Sequence, residues 1–121
     1  MSINFLKTWH FYRVFKIYFK NLTVSPNVYI VYLELLRREY KVYIGKMGDT
    51  EIDFVAEKAG IKKYYQVASS VIDENTFSRE IRPLEMIKDN YEKYVISYDK
   101  MPATDSDGIK VINVIDFLLE K

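Results

Sequence analysis

The sequence predicts an α/β domain in which one mixed sheet carries helices on its faces, in the order α-β-β-β-α-β-β-α. Three observations lead there. A capped amphipathic stretch begins near residue 25. Three short β-rich segments with turn chemistry between them fill 41–69. A second helical period runs over 73–89 before apolar strands resume. At 121 residues, 49% of them hydrophobic and 29% charged, the chain suits one domain with a modest core. With only 4 Gly and 3 Pro it is not a low-complexity or disordered chain.

The first twenty-five residues form a segment of different character. Trp9 to Lys20 sets Arg13, Lys16 and Lys20 on one helical face and Phe11, Val14, Phe15, Tyr18 and Phe19 on another. Such a segment suits packing on the domain or on a neighbour, or else a membrane-surface or nucleic-acid-facing helix. Ser25-Pro26 then starts a helix, serine as the cap and proline in the first turn. Val28, Val31, Tyr32, Leu35 and Leu36 share one side of it. Arg37 and Arg38 suit its negative end, so the helix is expected over 26–39.

Strands are expected at Lys41–Met47, Glu51–Glu57 and Lys62–Ser69, with Gly48-Asp49 and Ala59-Gly60 as turns. Alternation in the second puts Ile52, Phe54 and Ala56 on one face and Glu51, Asp53, Val55 and Glu57 on the other. Asp73 to Asp89 reads as a helix with Phe77, Ile81, Leu84 and Ile87 inward, and Pro83 should kink or split it. Tyr94–Tyr98 and Ile109–Val114 are further strands, 99–108 a loop, and Ile115–Glu120 a closing helix.

Composition excludes several chemistries. There is no cysteine, hence no disulfide or thiolate metal site. The single histidine, His10, rules out a multi-histidine zinc site in one chain. No apolar run reaches the ~18 residues of a membrane span, and no cleavable leader is apparent, so a cytoplasmic location is expected. The net charge of +1 divides unevenly, +6 over 1–46 and −5 over 47–121. Any polyanion would therefore meet the first third, where Arg13, Lys16, Arg37, Arg38 and Lys41 are the nucleic-acid-binding candidates.

Hairpin counting picks out one polar pair. With 58–61 as the turn, Glu57 faces Lys62, Val55 faces Tyr64 and Asp53 faces Gln66, with Cβ atoms ~5 Å apart. A carboxylate and an amide oxygen so placed suit weak chelation of a hard cation such as Mg²⁺, or a polar pair bonded to a helix.

The run Tyr32-Leu-Glu-Leu-Leu-Arg-Arg-Glu-Tyr40 is followed by Val42-Tyr-Ile-Gly-Lys46, Glu51-Ile-Asp-Phe-Val-Ala-Glu57 and Tyr65-Gln-Val-Ala68. Further along come Arg79-Glu80, Pro83-Leu84, Ile87-Lys-Asp-Asn-Tyr91, Lys93-Tyr94-Val95 and Ile115-Asp-Phe-Leu118. Together, over about residues 28–121, these resemble the C-terminal domain of a large group of bacterial and archaeal AAA-type ATPases. That domain is similar to the PD-(D/E)xK nuclease superfamily, with its restriction-endonuclease-like α-β-β-β-α-β core. The resemblance implies a nuclease-like domain over 26–121, with an ATPase domain or DNA as partner.

In that superfamily a helix glutamate, a strand Asp and a (D/E/Q)-x-K bind metal and activate water. Asp53 and Gln66 match; Ala68 stands where the lysine would be. The helix glutamate counts back to Val28 from Glu39, which occupies the place of a glycine. The resemblance therefore implies a nuclease fold with a disarmed site and no resident cofactor. The role this implies is that of a non-catalytic accessory module, separated from its ATPase or left from a longer one, binding a partner or nucleic acid. The alternative is a metal-dependent DNA endonuclease that adds Glu34 and Lys63 to Asp53 and Gln66. No G-x-x-x-x-G-K-[ST] loop occurs, so the chain has no phosphate cradle for ATP.

Overall fold

The computed structural model describes residues 4–5 and 26–120. Ser25, His10, Arg13 and Lys16 lie outside them. The elements run β1 (Asn4–Phe5), α1 (Pro26–Arg37), β2 (Lys41–Met47), β3 (Thr50–Lys58), β4 (Ile61–Ala68), α2 (Glu74–Glu85), β5 (Glu92–Ser97), β6 (Thr104–Ser106), β7 (Ile109–Asn113) and α3 (Val114–Leu119). They build one seven-stranded mixed sheet in the order β1-β2-β3-β4-β5-β7-β6. The β2–β3–β4 hairpins are antiparallel, while β4, β5 and β7 run parallel. This is the expected α/β architecture, with α2 making the crossover that parallel neighbours require.

Each sheet face buries its own core. On one face Val31, Tyr32 and Leu35 of α1 meet Phe54, Tyr65, Tyr94 and Phe117. On the other, Ile81 and Leu84 of α2 pack with Ile87 on Ile52, Val55, Tyr64 and Val95. The ring of Phe117 stands edge-on to Tyr65 at 5.7 Å, while Tyr65 stacks on Tyr94 at 5.0 Å. Such pairs add to the area buried.

Helix ends follow local chemistry. Helix α1 stops at Arg37, two residues short of the expected 39, because Glu39 takes a left-handed φ of 66°. Glu39 N–H then donates to Leu36 O (2.9 Å) and Tyr40 N–H to Leu35 O (3.1 Å), the paired bonds of a Schellman end. Glycine adopts that conformation without the steric cost a side chain carries. Glu39→Gly is accordingly expected to raise the unfolding free energy by about 0.5–1 kcal/mol. A urea titration giving a lower value would show that the Glu39 side chain holds more than the helix end.

Helix α2 begins one residue later than expected, because Asp73 caps it, accepting from Thr76 N–H at 3.0 Å. It runs unbroken through Pro83 and ends at Glu85, neither split there nor reaching Asp89. Pro83 brings no N–H to the helix, which ends two residues later. Asn113 caps α3 by accepting from Ile115 N–H (2.8 Å) and donates to Asp99 O (2.7 Å), tying the helix to the end of β5. The expected loop over 99–108 contains the short strand β6, which pairs with β7.

Candidate functional site

The β3–β4 register is the expected one, Val55 opposite Tyr64 and Glu57 opposite Lys62. Alternation along β3 is not. Tyr43 pairs with Val55 and Gly45 with Ile52, so two steps along β2 match three along β3. The extra residue is a β-bulge at Asp53-Phe54, which turns Ile52 onto the α2 face beside Val55 instead of beside Phe54 and Ala56. The paired ladder between β3 and β4 stops at Phe54–Tyr65, just before Asp53.

Side chains close the gap that opens there. Asp53 N–H donates to Gln66 Oε1 (2.8 Å), and Val67 N–H donates to Asp53 Oδ2 (2.9 Å). Gln66, 5% exposed, also sends its Nε2 to Glu80 O on α2 (3.3 Å). The two residues thus meet, but through each other's backbone. The oxygens expected to face a cation accept peptide N–H groups that the diverging strands would otherwise leave unpaired. Gln66 Oε1 and Asp53 Oδ2 are therefore each engaged by a peptide N–H. Among the described residues no group of three or more His, Asp or Glu is placed to hold a metal.

Half-buried Glu80 also belongs to this place. Burial, then the negative charge of Asp53, pushes its carboxyl above the ordinary value, while Arg79 opposes them. The sequence contains Glu80 but gives no signal for the contact. The distance between α2 and the bulge is set by packing, not by spacing.

The displaced acid and base of the endonuclease alternative do not converge on Asp53. Glu34 is buried on α1, against the opposite sheet face. It accepts from Arg37 Nε (2.9 Å) and Nη2 (2.6 Å) and from Arg38 Nε (2.6 Å). Those bonds, Arg37's first, outweigh burial and hold its carboxyl down at about 2. Lys63 sits 3.6 Å from Glu92 Oε1 and lies over the Tyr40 and Tyr94 rings, on the same side as α1. Val28 packs into that core as well, and Ala68 is buried.

Arg38 is not a surface cation: it lies over the Phe117 ring at 4.5 Å, pairs with Glu34 and donates to the Phe117 and Glu120 carbonyls. An arginine so placed covers the end of α1 with its stem and head. Arg37, though paired with Glu34, and Lys41 remain exposed. Arg13 and Lys16 fall outside the described residues.

A Haemophilus influenzae protein, described as an uncharacterized protein, is 50% identical over 91 residues. The match covers 75% of this chain and 22% of that protein, so the chain spans well under a third of the relative's length. No protein-family model and no solved structure matches the chain. No helix among the described residues is long and apolar enough to cross a membrane.

Proposed function

We propose that the chain is a non-catalytic nuclease-fold accessory module of an AAA-type ATPase, acting by binding a partner or nucleic acid in the cytoplasm. The observation that carries this reading is the closed state of the Asp53–Gln66 pair. A cation site needs oxygens turned outward with several free lone pairs, whereas Gln66 Oε1 and Asp53 Oδ2 are turned onto peptide N–H groups. Position 68, where an ammonium would stabilise an attacking hydroxide, is the buried Ala68.

A partner-binding role is supported by α1. Its inner side is core, yet Tyr29, Ile30, Leu33 and, contrary to the face expected from its spacing, Leu36 are 37–45% exposed on the rest of it. A helix apolar on both sides is normally covered on both. A relative several times longer is the context in which a module of this size would find such a cover.

The metal-dependent endonuclease remains the second reading, favoured by one observation: Glu80 brings a second carboxylate near Asp53. Linear, branched and supercoiled DNA incubated with the chain and Mg²⁺ or Mn²⁺ should stay intact, and Asp53→Ala should leave that result unchanged. Metal-dependent nicking by the unmodified chain that disappears in Asp53→Ala would overturn the module reading and promote the nuclease.

A further inference from the structure

Among the described residues, two grooves lined by several cations differ in what their charges are doing. One, about 640 Å³, lies between Arg37, Arg38, Tyr40, Lys58 and Lys63. Its cations are largely committed. Arg37 and Arg38 bond to Glu34, Lys58 Nζ donates to Arg38 O (2.8 Å), and Lys63 faces Glu92. The other groove, about 370 Å³, runs along α2 and is lined by Thr50, Asn75, Ser78, Arg79, Arg82 and Met86. No ion pair or hydrogen bond joins either arginine side chain to any described residue, although Arg79 feels the charges of Asp73 and Glu80.

We propose that this second groove is a phosphate-binding site, with Arg79 and Arg82 as its two cationic donors. The argument rests on the module reading and gives it a ligand chemistry. Residues three apart on a helix are neighbours, with ~5–6 Å between Cβ atoms, so the two guanidinium forks reach one tetrahedral anion. Guanidinium matches phosphate in bidentate geometry and is more weakly hydrated than an ammonium. Thr50 and Ser78 add hydroxyl donors and Asn75 an amide, while no carboxylate lines the groove. Proline at position 83 adds no competing donor or charge. Glu74 and Glu85 flank these arginines along the helix, and Asp49 and Glu51 bracket Thr50. That acidic surround opposes a long polyanion and favours a single phosphate group at the two arginines. The group is either inorganic phosphate or one phosphodiester of a nucleic acid.

The test uses the whole chain, with Arg79→Gln/Arg82→Gln as the variant and Arg37→Gln as the control in the other groove. In the first arm inorganic phosphate is titrated and arginine Nε–H signals are followed by NMR; those of Arg79 and Arg82 should move together, and Arg37's should not. In the second arm a fluorescent 20-base-pair duplex is titrated at several salt concentrations. A backbone phosphate as the ligand predicts at least about tenfold weaker binding in the double variant. It also predicts a salt slope smaller by about one contact's worth, ~0.9 in log K. Phosphate shifts with unchanged DNA affinity would identify the small anion as the ligand and also support the site. No shift of either arginine together with unchanged DNA affinity would overturn it. Both substituted side chains are exposed, so matched thermal melts will confirm that the variants fold. Metal-dependent DNA cleavage by the unmodified chain would defeat the module reading separately, whatever the arginines do.

Discussion

Phe117→Ala is expected to lower the unfolding free energy by about 3–5 kcal/mol, the cost of an aromatic deleted from a closed core. Phe117 is 1% exposed and belongs to the cluster beneath α1. Its ring meets Tyr65 edge-on and lies under the Arg38 guanidinium. Truncation therefore opens a cavity and also removes a cation–π contact that joins α3 to the end of α1. Domains of this size are stable by roughly 5–15 kcal/mol, so the variant should be close to unfolding in mild urea. A loss below about 1 kcal/mol would mean that the short α3 is not part of the folded core.

Glu34→Gln should cost about 2–3 kcal/mol at neutral pH, less than a fully enclosed pair because Arg37 is largely in water. The greater part comes from Arg38, whose side chain is 18% exposed and would lose the nearer of its two ionic partners among the described residues, keeping the more distant Glu120. The pH dependence carries the sign. Glu34 has its carboxyl depressed from 4.5 to about 2 in the folded state. Its stabilising contribution is therefore complete above about pH 4.5 and is lost as the pH falls toward 2. Glu92, held down to about 2 first by its bond from Lys110, adds to the same acid limb. Urea midpoints at pH 7, 4.5 and 3 should fall more steeply for the unmodified chain than for Glu34→Gln, so that the two curves approach each other in acid. Parallel curves would show that Glu34 is not the group being protonated.

Much of the site was legible because hairpin register is arithmetic. Once 58–61 is a turn, Asp53 and Gln66 must be neighbours, and they are. The ion pair of Glu34 with Arg38 also follows a spacing, four residues along a helix. Other features carry no such spacing. The bulge at Asp53-Phe54 becomes visible only when β3 is laid against β2, because a single strand gives no sign of an extra residue. Arg38 reads as a surface cation until Phe117, seventy-nine residues away, comes to rest beneath it. Glu80 reaches Asp53's field only after α2 has crossed the sheet.

The sequence by itself determined the order of the three helices and the five longer strands, though not the short β1 and β6, together with helices on both faces of the sheet and the pairing of β3 with β4, since these follow from period, turn residues and counting. The tertiary structure alone decided what the matched residues do. The strands part at the bulge, and backbone N–H groups left without ladder partners in a half-buried place take the nearest oxygens, those of Asp53 and Gln66. Which oxygens face a ligand and which satisfy the backbone depends on where two strands separate, and residue types alone do not encode that position.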